Sequence, residues 1–377
     1  MSALGGDSWF CDANAGAPAL PEVLELFMDV ERRFPANPAS AHAAGRRARG
    51  ALEQAREQVA AALGVAAGDV VFTSGGTEAA NLAVRGLGDP SLPVLAGDLE
   101  HPAVREAAAQ RGCVGWGVGE TGAVLVTEPR AAVGLVALVH AQSEVGTLQP
   151  IAAAAAVAKA HGVPLFVDAA QTLGRAPLGP VFEAGAAVAL SPHKAGGLRG
   201  SGVLAGHGLH AGLRPLMFGG GQEMGARPGT PSVALAAANA LAIERAVAER
   251  AQRAENMARN RESFLRALGS VDDAHRVLTP LADSVPNTTM VWFGGVEGRY
   301  LLPALDLAGV HASHGSACSS GSPTPPRVLA AMRIDDDDAR ACVRFSFGWS
   351  DAAADCARAG GVVGEVVGRL RKKNSAR

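Results

Sequence analysis

The stretch VPLFVDAAQTLGRAPLGPVFEAGAAVALSPHK, residues 163–194, holds two short apolar runs, the first ending at Asp168 and the second just before Lys194. Uninterrupted apolar runs separated by a helix-like segment are the pattern of strands buried on both faces of a mostly parallel sheet. A lysine ammonium is expensive to bury unpaired. Its position where a buried strand gives way to the loop AGGLRGSG (195–202) therefore calls for a chemical reason. A salt bridge to Asp168, 26 residues earlier, is the simplest one.

Outward from this stretch, the same alternation extends from about residue 70 to 205. DVVFTSGGTE runs into a glycine turn, and GLVALVHAQSE ends near His140. In such sheets ligands gather beyond the carboxyl ends of the strands, so polar residues recurring there form one candidate site. His101-Pro102 and Gln149-Pro150 put proline at a first helical position, and Thr230-Pro231 adds a hydroxyl in the N-cap place. The alanine-rich segment after Pro231 becomes highly charged from Glu244 to Arg261 and reads as an exposed helix leading out of a first domain. Residues 14–247 are expected to form a large domain, and residues 1–13 with 248–377 a smaller one.

Bulk properties exclude several classes. The 377 residues are 48% hydrophobic and 19% charged with a net charge of -2, so no electrostatic footprint for nucleic acid or an anionic membrane exists. The N-terminal MSALGGDSWFCD lacks the charged and apolar regions of a secretory signal, and no apolar stretch is long enough to span a bilayer, so a cytoplasmic protein is expected. Five cysteines at 11, 113, 318, 342 and 356 show no CxxC spacing and are first read as small buried hydrophobes. Asp335–Asp338 reads as a solvated loop, and the terminal RLRKKNSAR as a favourable helix end.

TSGGTEAAN (73–81) joins a strand to a helix through two glycines and then supplies a hydroxyl, a geometry that suits either a phosphate or an ordinary turn. It matches neither nucleotide-binding spacing. Lys194, Asp168, His101 and this loop together fit a cofactor with an aldehyde, a ring nitrogen and a phosphate, namely pyridoxal phosphate.

The segments CDANAGAP, NPASAHAAGRRAR, VVFTSGGTEAANLAVRG, LEHPAV, HAQSEVGTLQPI, VDAAQTLGR, SPHKAGGLRGSGVL, GGGQEMGARPGT, SHGSACSSGSPTPPRVLAAM and VRFSFG, in this order from residue 11 to 348, resemble cysteine desulfurases of the NifS/IscS type, within the class V aminotransferases of PLP fold type I. The resemblance implies an α/β fold with a large, mostly parallel sheet covered by helices and a smaller α+β C-terminal domain. It further implies that Lys194 carries the cofactor as a Schiff base and that Asp168 pairs with the pyridine nitrogen. His101 stacks on the ring and moves protons, and Gln171 bonds the phenolic oxygen. Phosphate donors are Gly76, Thr77, Ser191 and His193, with Thr230 supplied by the neighbouring subunit of a homodimer. Arg344, helped by Asn37, takes the carboxylate of the substrate, L-cysteine; a guanidinium fork matches that group.

Cys318 lies in SHGSACSSGSPTPP, a Gly-, Ser- and Pro-rich loop (about 312–326). An exposed cysteine in a loop can present a thiolate nucleophile. The resemblance gives Cys318 that role, receiving sulfur as a persulfide and passing it to an unidentified acceptor protein while alanine leaves. His311, His314 and Cys318 are close in sequence, but no second cluster completes a zinc site and no metal is expected. Ser143 stands where the family has an asparagine near the cofactor, Pro192 replaces a glycine and His314 a serine. Two other readings keep the fold: a C–S lyase or aminotransferase without a persulfide, and a non-catalytic sulfur-carrier or partner-binding protein.

Overall fold

The computed structural model describes residues 8–271, 274–296, 298–315 and 325–375. Cys318 lies outside them. The strands, in chain order, are β1 (Trp9–Phe10), β2 (Val70–Thr73), β3 (Val94–Gly97), β4 (Cys113–Trp116), β5 (Leu135–Val139), β6 (Leu165–Asp168), β7 (Ala187–Leu190), β8 (Gly202–Ala205), β9 (His275–Val277), β10 (Thr288–Phe293), β11 (Val310–His311) and β12 (Cys342–Ser346).

Seven of them form the central sheet in the order β2-β8-β7-β6-β5-β3-β4. The four pairings among β7, β6, β5, β3 and β4 are parallel, whereas β8 runs antiparallel to both β2 and β7. The apolar runs are continuous because successive side chains point to opposite faces and both faces are covered. Leu165 and Val167 enter one core, and Phe166 between them enters the other. The first core is closed by the helices Ala43–Leu63, Ile151–Ala160 and Val233–Ala248, the second by Gly76–Gly86 and Pro102–Ala109. Each buried Leu, Val or Phe contributes about 1.5–3 kcal/mol.

A second sheet, β12-β10-β9, is antiparallel. Its core includes Phe264, Phe345 and Phe347, and the helix Ala353–Ser375 packs on the helix Arg250–Val271. The chain's start joins this core: β1 pairs with β11, and Cys11 is buried there. On β12, Val343 and Phe345 face that core, which turns Arg344 toward the large sheet.

Three local expectations change. The long charged helix breaks at Glu249, and its second half is not a solvated stalk: Arg253 is buried, donates to the Ala195 carbonyl at 2.9 Å and lies over Trp349. The N-cap after Pro231 is Ser232, whose hydroxyl accepts from Leu235 N–H, rather than Thr230. Asp335–Asp338 is no loop. Asp335 accepts from the N–H groups of Asp337 and Asp338 and caps the helix Asp336–Arg340, where acidic residues complement the helix dipole. Among the described residues no helix is long and apolar enough to cross a membrane.

Candidate active site

Parallel neighbours deliver Asp168 and Lys194 to the same edge of the sheet. Asp168 is the last residue of β6, paired in register with Ala189 of β7, and Lys194 closes the Pro192–Lys194 turn that follows β7. Both line a single cleft. The Asp168 carboxylate is buried and accepts from the Ala170 N–H at 2.9 Å. β3 and β5 end at the same edge, so His101 and Ser143, a few residues beyond them, reach the cleft as well.

His101 caps a helix as well as lining the cleft. As N-cap of Pro102–Ala109 its Nδ1 accepts from Ala103 N–H at 3.1 Å, which leaves Nε2 as the proton-bearing nitrogen of the neutral ring. Burial lowers its pKa; Asp168 opposes that shift, while Lys194 and Arg105 add to it. His193 is held further down, to about 4, by burial and by the charges of Lys194 and Arg199. Both rings are therefore favoured in the neutral form, as donors or acceptors rather than cations. His140, by contrast, is a core histidine: buried, bonded to the Thr172 hydroxyl, its pKa lowered to about 4 by burial, and absent from the cleft lining.

In the same cleft lining, Gly76, Thr77 and Ser191 come together. Gly76 opens an eleven-residue helix whose first N–H groups have no carbonyl partner within the helix. A methyl group built on Gly76 would lie 2.2 Å from Ser191 Oγ, whereas one on Gly75 would meet nothing within 4 Å. The backbone of Gly75 in turn lies directly over Gly202, at the start of β8, where no Cβ fits. Glycine at 76 and 202 thus keeps a cradle open for an anion.

A cofactor with a phosphate, a ring nitrogen and an aldehyde fits this donor set: the cradle, the Asp168 carboxylate and the Lys194 amine share one cleft. The fit gives a test. Gly76→Ala is expected to weaken pyridoxal phosphate binding by about tenfold to a hundredfold, the usual cost of an overpacked contact, while Gly75→Ala changes it little. Equilibrium dialysis of the two variants measures both; equal affinities would remove the cradle from the site.

Gln171 and Arg344 also line the cleft. Gln171 Nε2 donates to the Asn14 carbonyl at 3.2 Å and its Oε1 accepts from Arg175. Arg344 is 1% exposed, not a surface ion pair; it donates to Asp12 at 2.6 Å and to the Ser143 carbonyl at 2.9 Å. Ser143 thus meets Arg344 through its backbone. Asn37 and Thr230 are not part of this lining. They sit together, Asn37 Nδ2 to Thr230 Oγ1 at 3.4 Å, and Thr230 lines a separate depression with Ser74 and Arg227.

Sequence reasoning assigned no role to three residues that build the site. Asn14 is buried in the wall, donates to the Ser143 carbonyl and accepts from Arg175 and Asn287. Arg175 reaches the carbonyls of Ala13 and Lys194, and burial together with the charge of Arg344 brings its pKa down to about 9. It lies four residues after Gln171, in the turn that follows β6. Glu100 is fully buried beside His101; its Oε1 accepts from Val139 N–H, its Oε2 has no partner among the described residues, and burial together with Asp168 raises its pKa well above the usual range. A charged residue next to an N-cap histidine was its only cue.

The cysteines divide unexpectedly. Cys11, Cys342 and Cys356 are buried, but Cys113 is exposed. It begins β4, at the edge of the sheet opposite the cleft. Burial raises the thiol pKa in all four, to about 12 for Cys342 and Cys356. His311 bonds Asp306 and His314 the Cys342 carbonyl; among the described residues no group of side chains is placed to hold a metal.

The sequence model of the family described as Aminotransferase class-V matches residues 9–358. The chain is 34% identical to an IscS-like cysteine desulfurase of Mycobacterium tuberculosis, over 96% of this chain and 97% of that protein. It is 33% identical to the cysteine desulfurase IscS of Dictyoglomus turgidum, over 96% and 95%. Its fold is similar to a solved NifS-like protein with a TM-score of 0.86 and 28% identity, covering 96% of this chain and all of that one.

Proposed function

Because the chain belongs to the aminotransferase class-V family, we propose that it is a pyridoxal-phosphate-dependent cysteine desulfurase, converting L-cysteine to L-alanine with the sulfur left as a persulfide on Cys318. The observation that carries this reading is the convergence of Lys194, Asp168, His101 and Arg344 on one cleft.

Bound pyridoxal phosphate supplies an electron sink for the pair released at the substrate's α-carbon. The protein's share is binding, orientation and proton movement. Lys194 Nζ would carry the cofactor, and the Asp168 carboxylate would accept a hydrogen bond from the protonated ring nitrogen and hold the proton there. Gly76, Thr77, Ser191 and His193 hold the phosphate. Gln171, whose Nε2 keeps a second proton beside the one given to the Asn14 carbonyl, would donate it to the phenolic oxygen, with Ser143 in the same lining. His101, neutral with its Nδ1 engaged by Ala103 N–H, would stack on the ring and assist proton transfer by presenting its Nε2–H to the reacting centre. Arg344 fixes the substrate carboxylate.

Sulfur then moves from cysteine to the Cys318 thiolate. The carbon–sulfur bond of the substrate breaks, a sulfur–sulfur bond forms on Cys318, and a proton replaces sulfur on the carbon of the departing alanine. The raised thiol pKa values of the four described cysteines support assigning this step to Cys318. An acceptor protein later takes the sulfur.

Thr230, with Asn37 beside it, is assigned to the site of a second subunit in a homodimer. The segment that meets Pro228 and Gly229 leaves Phe218 92% exposed, with Met217 and Met224 about half exposed, apolar surface that a partner would cover. We also divide the chain near Glu249, since the helices on its two sides pack on different cores.

The test is direct. Incubation with L-cysteine is expected to release alanine and to add one sulfur atom to the peptide containing Cys318, read by mass spectrometry. Pyruvate and free sulfide without that added sulfur would replace this reading with a C–S lyase.

A further inference from the structure

Arg344 reaches the cleft with its guanidinium already engaged. NH2 meets Asp12 Oδ1 at 2.6 Å, NH1 donates to the Ser143 carbonyl, and Nε is buried without a partner among the described residues. The Arg344 side chain is 1% exposed and that of Asp12 20%. Arg175, close enough for the charge of Arg344 to depress its pKa, makes this a wall of two guanidiniums.

The group that occupies Arg344 is itself a carboxylate. Resting on the reading that Arg344 takes the substrate's carboxylate, we propose that Asp12 holds that position in the absence of substrate and gives it up when the amino acid arrives, so that Asp12 sets the affinity for the substrate carboxylate. Three observations favour exchange over a fixed ion pair. Asp12 contacts the guanidinium through one oxygen only and leaves Nε unsatisfied, whereas an incoming carboxylate that bridges NH2 and Nε satisfies both donors. The Asp12 side chain is the more exposed of the two, so it has somewhere to go. Its backbone stays in place during the exchange: it bridges to Ser346, with Ala13 N–H donating to the Ser346 carbonyl and Ser346 N–H to that of Cys11, so only side-chain torsions change.

A resident carboxylate also keeps the empty site from leaving a buried cation unpaired. Its cost is affinity, because a ligand binds only to the fraction of molecules in which Arg344 is free.

The PLP-loaded protein is titrated with propionate by calorimetry, with propionamide as the neutral control. Wild type is expected to bind propionate weakly. Asp12→Asn is expected to bind it about tenfold more tightly if Asp12 occupies Arg344 roughly nine-tenths of the time, and Arg344→Gln not at all. Folded Asp12→Asn protein with unchanged or weaker propionate affinity overturns the exchange. Arg344→Gln that binds propionate as wild type does overturns instead the assignment of Arg344 as the carboxylate site. Crystals of the wild-type protein soaked in propionate give the answer should Asp12→Asn not fold: propionate on Arg344 with the Asp12 contact opened supports exchange, and propionate there with the contact intact refutes it.

Discussion

Lys194→Ala is expected to leave a folded protein that no longer holds its cofactor covalently, with cysteine turnover reduced by at least about a thousandfold, the scale at which a nucleophile and proton carrier is lost. The fold should survive because the backbone of Lys194 is tied into the structure on both sides and alanine keeps that backbone. Its N–H donates to the Ser191 carbonyl at 3.0 Å, and its own carbonyl accepts from Arg175 at 3.3 Å. The neighbours would change state as well. Lys194 is one of the charges that hold down the pKa values of His101 and His193, so its removal should raise both. Borohydride reduction followed by mass spectrometry reads the covalent bond, and NMR titration of the imidazoles reads the neighbours. Covalent cofactor in the variant, or turnover within tenfold of wild type, would refute the central assignment.

Cys318→Ala should separate sulfur transfer from everything that precedes it. Cofactor binding is expected to be unchanged, while persulfide formation disappears and alanine release falls by about two to four orders of magnitude, the loss expected when a covalent catalyst is removed. No described cysteine is equipped to replace it. Cys342 and Cys356 have their thiols raised to about 12 by burial, and Cys11 is fully buried beside Cys356 and Asp351. Cys113 is exposed, yet it stands at the start of β4, across the sheet from the cleft. Mass mapping of added sulfur after cysteine treatment checks this. Sulfur on Cys113 in the variant would mean that a second route exists.

The positions that line the cleft were legible because strand ends announce themselves. A continuous apolar run that stops at Asp168 or before Lys194 can be recognised residue by residue, and a parallel sheet then places the ends together. The helix after His101 was equally plain from its proline. Less local features were missed. Whether Glu244–Arg261 is solvated depends on Ala195 and Trp349, which receive Arg253 from elsewhere in the chain. The capping role of Asp335 turns on a single backbone angle, and the exposure of Cys113 on the outermost position of its sheet.

Composition, periodicity and the ordered motifs determined that this chain builds a covered sheet with an acid, an amine and a glycine turn at one edge, because those properties are written in consecutive residues. Only the tertiary structure decided what stands behind them. Asp12 and Asn14 come from the N-terminal segment and Arg175 from the turn after β6, and their meeting with Arg344 depends on the N-terminal segment lying along β12. Long-range electrostatic partners have no sequence period: a charge is paired by whatever the fold brings within a few ångströms, and that is settled only when distant segments close.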